Sequence, residues 1–283
     1  MKFITYDQKG GRSGHALKDI FTCYIMSFLI DGLVVLPQKK WNNRQKIVNF
    51  DTDESQSKLN EKNFTGIITI NPTKEQWNGM SFWYFCDIQK QIESLPGGSL
   101  VILKGVIRLH PFQLTEWYNK KMIQEDPYVE KIVPALRNLY FINHDSKTID
   151  CLSMHVRRGD VADPNSRAYN AHGFRRWPVE YFEQAIISFR SKFPNVPINV
   201  FSERNFSGDL QILKKYNNLN IILGDAHSLQ KDINHMINSR FFMPCDSCLS
   251  LWVSYISKGT IIMPEDKELR YFHKRYFNYK LRE

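Results

Sequence analysis

Short apolar runs recur along this chain, and longer amphipathic stretches lie between them. The short runs predict strands, and apolar residues repeating every three or four positions predict helices. Strands that alternate with helices indicate an α/β fold built on parallel sheets. The predicted strands are 3–6, 33–36, 66–70, 100–103, 152–156, 198–201, 220–223, 241–243 and 260–263; the predicted helices are 15–30, 178–192, 207–216, 228–239 and 247–257, with 112–140 mostly helical.

A polar stretch at 143–150 interrupts this alternation near the middle of the chain. A length of 283 residues corresponds to about two domains at ~150 residues each. We therefore predict one domain over 1–147 and a second over 148–283. The polar residues 38–63 predict a long loop or an insertion in the first domain.

Composition narrows the class of protein further. Hydrophobic residues make up 42% and charged residues 24% of the chain, which is typical of a globular protein and excludes disorder and coiled coil. The net charge is +9, and the excess of basic residues is larger in the second half. A basic domain suits an anionic ligand such as a nucleotide, a lipid head group or a nucleic acid.

Cysteine usage and the N-terminus predict the compartment. The five cysteines are odd in number and widely spaced, which favours a reducing environment over a disulfide framework. The first residues contain no apolar core of a signal peptide. The most apolar run, 20–37, is interrupted by Asp31 and Gly32, so no membrane span is predicted. We expect a cytoplasmic protein.

Candidate chemistry follows the strand ends, because ligands of parallel sheets bind beyond the carboxyl ends of the strands. The strand 152–156 continues into Arg157, Arg158, Gly159 and Asp160. Two adjacent guanidinium groups at such an edge predict a phosphate site, since the planar fork binds phosphate oxygens in pairs. The alternative is a surface arginine pair with one structural ion pair to Asp160.

Two further strand ends carry similar signals. Asp246 or Ser247 is a good N-cap for the helix that follows, and a helix N-terminus attracts a phosphate. Cys245 and Cys248 also form a CxxC pair, but no second CxxC completes a zinc site, so ordinary thiols are the favoured interpretation. Asp225 follows the strand 220–223, where its carboxylate suits either guanine or a helix N-cap.

The N-terminal loop 10–15 links the first predicted strand to a helix. Gly11 and Gly14 permit a close approach of the backbone to a ligand. The spacing is not GxGxxG, so the loop by itself indicates no particular ligand.

The segment His155-Val156-Arg157-Arg158-Gly159-Asp160 matches the HxRRxD motif of fucosyltransferases that use GDP-fucose, and it most resembles the α-1,2-fucosyltransferase branch. Further resemblances follow in the family's order along nearly the whole chain. They are GGRSGHAL at 10–17, VFSER at 200–204, DINHM at 232–236, DSCLSLW at 246–252 and IIMP at 261–264. Three departures stand out: His15-Ala16 replaces an Asn-Gln pair, Glu203-Arg204 replaces an Asp pair, and Leu251 replaces a Trp.

This resemblance implies a GT-B-like arrangement of two Rossmann-like domains facing a cleft. It also implies an inverting, metal-independent transfer of fucose from GDP-fucose to a glycan hydroxyl, with no cofactor and an α-1,2 product. Arg157 would hold the diphosphate, Arg158 would contact the donor or brace the loop, and His155 with Asp225 would contact guanine. The predicted donor site also includes Asp246, Ser247, Cys248 and the loop glycines Gly11 and Gly14.

The resemblance does not identify the base that accepts the acceptor's proton. Asp163 and His15 are the two main candidates, and Asp19 and His172 are others. Three alternatives to a fucosyltransferase stay open: a transferase using another nucleotide sugar, a donor-binding module that lacks a base, and a basic nucleic-acid-binding protein. The last lacks any RNP-like, helix-turn-helix or zinc-finger pattern.

Overall fold

The chain divides into two compact units, Met1–Asn143 and His144–Glu283. The predicted domain boundary, after residue 147, lies a few residues to the C-terminal side of this division. The computed structural model describes residues 1–6, 23, 24, 26, 27, 30–35, 64–70, 82–103, 134, 136–138, 140, 141, 146–172, 176–204, 206–224 and 228–262.

The first unit is built on a parallel sheet whose strands lie in the order β2-β1-β4-β3. Its central strands β1 and β4 are buried through Ile4 and Val101, which are both 0% exposed. Three of the strands fall at or within the predicted runs and the fourth, at 99–103, begins one residue before its run, which confirms the predicted strands. The bounds are Phe3–Tyr6 for β1, Leu33–Val34 for β2, Gly66–Ile70 for β3, Ser99–Leu103 for β4 and Phe82–Glu93 for helix α1.

The second unit is built on a five-stranded parallel sheet in the order β7-β6-β5-β8-β9. Its strands confirm the apolar runs of the second half. Their bounds are Ile149–His155 for β5, Ile198–Glu203 for β6, Leu219–Gly224 for β7, Ser239–Met243 for β8 and Thr260–Ile261 for β9. The helices are Arg167–His172 for α2, Val179–Lys192 for α3, Leu229–Asn238 for α4 and Cys248–Ile256 for α5.

The described residues of the second unit also contain two 3₁₀ helices, at Gly159–Val161 and Gly208–Lys215. The second of them corrects the helix predicted over 207–216. Leu210 and Leu213 are its buried residues, and they are three positions apart. A spacing of three suits the three-residue turn of a 3₁₀ helix, whereas an α-helix would also bury residues four apart.

The strand order places a switch point beside β5. The chain runs from β5 to β6 and β7 on one side of the sheet, and then returns to β8 on the other side of β5. Crossover connections leave β5 and β8 in opposite directions, so a crevice opens at the carboxyl ends of these two strands. That edge carries His155 and the residues that follow Met243.

Candidate active site

The loop after β5 is shaped by a glycine. Gly159 has a φ of +62°, in the left-handed region, and opens the 3₁₀ turn Gly159–Val161. A Cβ at this position would lie 1.2 Å from Oε2 of Glu203, which ends the neighbouring strand β6. Both the backbone conformation and the space therefore require glycine here.

Arg158 is enclosed in the second unit and is 0% exposed. Its Nε donates to Oδ1 and Oδ2 of Asp209, both at 3.1 Å, and its Nη1 donates to the carbonyl oxygen of Arg157 at 3.0 Å. Its guanidinium carbon lies 5.9 Å from the centre of the Phe182 ring. These contacts tie the loop to the 3₁₀ helix Gly208–Lys215, so the geometry favours the bracing role over direct contact with the donor.

Arg157 lies at the same strand end but is held more loosely. Its Nη2 lies 3.2 Å from Oδ1 of Asp160, and the two side chains are 16% and 17% exposed. Its Nε is buried and has no hydrogen-bond partner among the described residues. The Arg157 fork thus retains donors that an anion can accept.

His155 ends β5 and is 9% exposed. Its Nδ1 lies 2.5 Å from Oγ of Ser250, 3.4 Å from Oγ of Ser247 and 3.5 Å from Sγ of Cys245. Burial lowers its pKa from the ordinary value of 6.5 to about 4, since the imidazolium is poorly solvated there. The ring is therefore neutral at pH 7.

Three charged groups act on His155 from neighbouring elements. The positive charge of Arg157 lowers the pKa further, whereas Glu203 and Asp232 raise it. Desolvation outweighs both carboxylates, which is why the net shift is downward. The strand ends of β5 and β6 and the first turn of α4 thus place their charged residues around one imidazole.

The N-terminus of α5 faces the same group. Ser247 is the N-cap, with φ −145° and ψ 149°, and its Oγ accepts a hydrogen bond from the backbone N–H of Ser250 at 3.0 Å. This confirms the predicted cap. Asp246 and Ser247 are both buried, at 5% and 2% exposure. The positive end of the α5 dipole lies beside His155, where it favours a negative ligand.

The thiol of Cys245 belongs to this cluster without being reactive. Burial raises its pKa, and its Sγ lies 3.5 Å from Oγ of Ser250. A protonated thiol is a poor metal ligand and a poor nucleophile. Across the ranges that the structure describes, no three His, Cys, Asp or Glu side chains group together as a metal site. Cys248 begins α5.

Asp163, a predicted base, is used in a local turn. Its Oδ1 accepts the backbone N–H of Asn165 at 2.9 Å, and its own N–H donates to the carbonyl oxygen of Gly159 at 3.0 Å. The turn leads into α2. None of these contacts joins Asp163 to Arg157 or His155, so its catalytic role stays a prediction.

The remaining predicted residues lie outside what the structure describes. Gly11, Gly14, His15, Asp19 and Asp225 belong to undescribed segments. His172 ends α2, and its side chain is not described.

Several residues of the site had no role in the sequence interpretation. Glu203 entered only as a departure from the family pattern, and Ser250 and Asp209 had no signal of their own. Asp232 accepts a hydrogen bond from Oγ of Ser228 at 3.0 Å and lies beside the end of β7. A Cβ at Gly224 would lie 2.3 Å from Oδ2 of Asp232. The absence of a side chain at residue 224 therefore leaves room for this carboxylate, as at residue 159.

Two units, each built on a parallel sheet with helices, fit the predicted GT-B-like class of fold. The model of the family named glycosyl transferase family 11 matches residues 109–280. Because that match covers more than half of the chain, this protein belongs to glycosyl transferase family 11, the α-1,2-fucosyltransferase family. The expected enzyme class, a fucosyltransferase, is thereby confirmed. No curated protein sequence matches the chain significantly.

Solved structures provide the fold comparison. A crystal structure of POFUT1 in complex with GDP-fucose superposes with a TM-score of 0.51 at 10% identity, over 92% of this chain and 97% of that one. At that identity the likeness shows the fold alone, and it confirms the predicted GT-B-like class. The R284K mutant of Arabidopsis thaliana FUT1 in complex with GDP has a TM-score of 0.46 at 10% identity, over 97% of this chain and 72% of that one.

E. coli heptosyltransferase WaaC with ADP has a TM-score of 0.47 at 10% identity, over 95% of this chain and 89% of the other. Separately, none of the helices in the described ranges is long and apolar enough to cross a membrane.

Proposed function

We propose that this enzyme transfers L-fucose from GDP-fucose to a hydroxyl of a glycan acceptor, with inversion at the anomeric carbon, without a metal ion, and with an α-1,2 product. Membership of glycosyl transferase family 11 supports the fucosyl transfer. The cytoplasmic setting is part of the same proposal and rests on the cysteine usage.

The observation that carries the proposal is the position of Arg157. It follows the last residue of β5 closely, at the switch point of the sheet, with a buried Nε that has no partner among the described residues. His155 and the N-terminus of α5 adjoin it. An anionic diphosphate bound here meets a guanidinium and the positive end of a helix dipole, and it competes with Asp160, whose Oδ1 lies 3.2 Å from Nη2 of Arg157.

These groups suit the charge that the reaction develops. The bond between the anomeric carbon and the β-phosphate oxygen breaks, the electron pair stays on GDP, and the sugar becomes oxocarbenium-like. Arg157 and the first turn of α5 stabilise the negative charge on the β-phosphate, which is the task a metal ion performs in other transferases. Loss of one such preorganised donor lowers the rate by roughly 10²–10³-fold.

The acceptor oxygen attacks the opposite face of the anomeric carbon, and its proton passes to a base. Asp163 and His15 remain the proposed bases. The proposed donor site consists of His155, Asp225, Asp246, Ser247 and Cys248, together with Gly11 and Gly14. Arg158 takes part as a positioning residue, because its fork is engaged by Asp209 and a backbone carbonyl.

A GDP-release assay in EDTA tests the proposal. Wild-type enzyme with GDP-fucose is expected to release GDP, and Arg157→Ala is expected to slow the release by roughly 10²-fold or more. Arg240→Ala is the matched control: Arg240 is an exposed arginine near the start of β8, ion-paired to Asp150 at 2.9 Å. It removes the same charge from the same unit at the opposite end of the sheet and should leave the rate unchanged.

Other outcomes separate the alternatives. Release from UDP-sugars or ADP-sugars but not from GDP-fucose would assign another donor. Release that stops in EDTA and returns with a divalent cation would contradict the metal-free mechanism. Absence of GDP binding, together with RNA binding that weakens steeply with salt, would favour a nucleic-acid-binding protein.

A further inference from the structure

We propose that Ser250 fixes the tautomer of His155, so that the ring presents Nε2–H to the donor nucleotide and selects a hydrogen-bond acceptor on the base. This inference rests on the proposed function, in which His155 contacts the purine of the donor. It adds a positioning residue and a reason for selectivity between purines.

The Ser250 hydroxyl lies against the ring of His155. Ser250 lies in the first turn of α5 and is 0% exposed. Its Oγ accepts the backbone N–H of Cys245 at 3.1 Å and lies 2.5 Å from Nδ1 of His155. With one lone pair engaged by that N–H, the hydroxyl still has one proton to donate, and Nδ1 is its nearest partner.

Three groups that can donate a hydrogen bond surround Nδ1 of His155. Ser247, Ser250 and Cys245 each carry one hydrogen, and all three lie within 3.5 Å of this nitrogen. A ring-nitrogen lone pair is a stronger acceptor than a hydroxyl or a thiol, so the cluster is best satisfied when Nδ1 is unprotonated. A proton on Nδ1 would instead remove the strongest acceptor of the cluster and add a fourth donor to it.

The protonation of Nδ1 determines that of Nε2, the other ring nitrogen of His155. His155 is neutral, because burial disfavours the imidazolium, and a neutral imidazole carries one N–H. With Nδ1 as the acceptor, that N–H is on Nε2. No described residue hydrogen-bonds to Nε2, so a ligand is free to accept from it.

The ligand atom facing Nε2–H must therefore be an acceptor. Guanine and hypoxanthine carry an oxygen at position 6, whereas adenine carries an amino group there that can only donate. A buried N–H opposite an amino group is left unpaired, and sites of this kind reject such analogues. Ser250 thus controls the polarity of the contact through His155 without touching the nucleotide itself.

The tautomer can be read directly in the free enzyme. In ¹⁵N-histidine-labelled protein, long-range ¹H–¹⁵N correlation spectra distinguish a protonated from an unprotonated ring nitrogen, and His155→Gln assigns the signals by their loss. We expect an unprotonated Nδ1 and a protonated Nε2 in wild type between pH 6 and pH 8. A protonated Nδ1 in wild type would overturn the proposal, whatever the donor proves to be.

Binding of IDP and ADP tests the consequence. These nucleotides share the sugar and phosphates and lack the 2-amino group of guanine, so their difference lies at positions 1 and 6. Ser250→Ala is expected to lower the IDP-to-ADP affinity ratio about tenfold, the worth of one hydrogen bond. Ser254→Ala is the matched control: Ser254 is a buried serine one turn further along α5, and its Oγ donates to the carbonyl oxygen of Ser250 at 2.8 Å.

The outcomes keep the two proposals apart. An equal loss of IDP and ADP affinity in Ser250→Ala would contradict the role in base selectivity, and a ratio lowered equally by Ser254→Ala would reduce Ser250 to a structural serine. Failure of wild type to bind any guanine or hypoxanthine nucleotide would contradict the proposed function, while the ¹⁵N spectra would still decide the tautomer.

Discussion

The carboxylate of Glu203 occupies the position that a side chain on Gly159 would take: a Cβ on the glycine would lie 1.2 Å from Oε2 of the glutamate. The glycine opens the turn after β5, and the glutamate ends β6, the adjacent strand in the sheet. The acidic side chain thereby approaches the backbone of the loop that carries both arginines, and it acts on the pKa of His155 from there. The shape of the candidate site depends on the absence of a side chain at residue 159.

Gly159→Ala is expected to destabilise the enzyme and to abolish GDP release. The residue has φ +62°, which costs an alanine about 1–2 kcal/mol, and the overlap with Glu203 adds to this. Urea unfolding and the GDP-release assay measure the two effects. Gly208→Ala is the control, since no atom lies within 4 Å of a Cβ there and the residue is exposed.

The double variant Gly159→Ala/Glu203→Ala separates strain from overlap. Removing the glutamate side chain relieves the overlap and leaves the backbone strain, so part of the lost stability should return. Equal stabilities of the single and double variants would mean that Glu203 moves aside freely and does not shape the loop.

Arg158→Ala and Arg157→Ala are expected to have opposite profiles. Breaking the buried pair of Arg158 with Asp209 should lower the free energy of unfolding by about 3 kcal/mol, at the lower end for such pairs, because Asp209 is 29% exposed and also lies 3.5 Å from Arg176. Arg157 has a partly exposed pair with Asp160, and its loss should cost less than about 1 kcal/mol. Its effect should fall on GDP release instead.

Arg158→Lys provides a sharper version of this experiment. A lysine cannot reproduce the two Nε contacts with Asp209 together with the Nη1 contact to the backbone, so stability should not recover. Arg176→Ala, which removes the exposed neighbour of Asp209, should change stability by less than about 1 kcal/mol.

Full activity of Arg157→Ala with wild-type stability would contradict the assignment of Arg157 to the donor site.

The pattern of apolar runs along the chain predicted the strands and directed attention to the motif at the end of β5. Runs such as 152–156 are continuous and apolar, and the rule on strand ends directs attention to the residues that follow. The helix α1, Phe82–Glu93, had no such signal. Its first turn is a block of consecutive aromatic residues, which hides the helical spacing, and aromatic residues have modest helix propensity.

The contacts that shape the site could not be predicted in the same way. Arg158 meets Asp209, and His155 meets Ser250, only because the sheet brings distant parts of the chain together. Sequence spacing carries no information on such pairs. The overlap of Glu203 with Gly159 likewise depends on the parallel pairing of β5 with β6.

Stability is expected to fall as the pH drops from 7.5 to 5, with His155 as one cause. Its pKa is about 4 in the folded enzyme and near 6.5 when unfolded, so the unfolded chain binds the proton first. The stabilisation is fully present above pH 6.5 and is lost progressively as the pH falls towards 4. At pH 5 the loss from this group is about 2 kcal/mol.

Urea unfolding of wild type and His155→Gln at both pH values isolates this group, because glutamine does not titrate. His235 also has a pKa lowered by burial and contributes in the same direction in both proteins, so it cancels in the comparison. The wild type should lose about 2 kcal/mol more than the variant between pH 7.5 and pH 5. An equal loss in the two proteins would mean that His155 accepts a proton in the folded state as readily as in the unfolded chain, which contradicts a neutral ring buried against the N-terminus of α5.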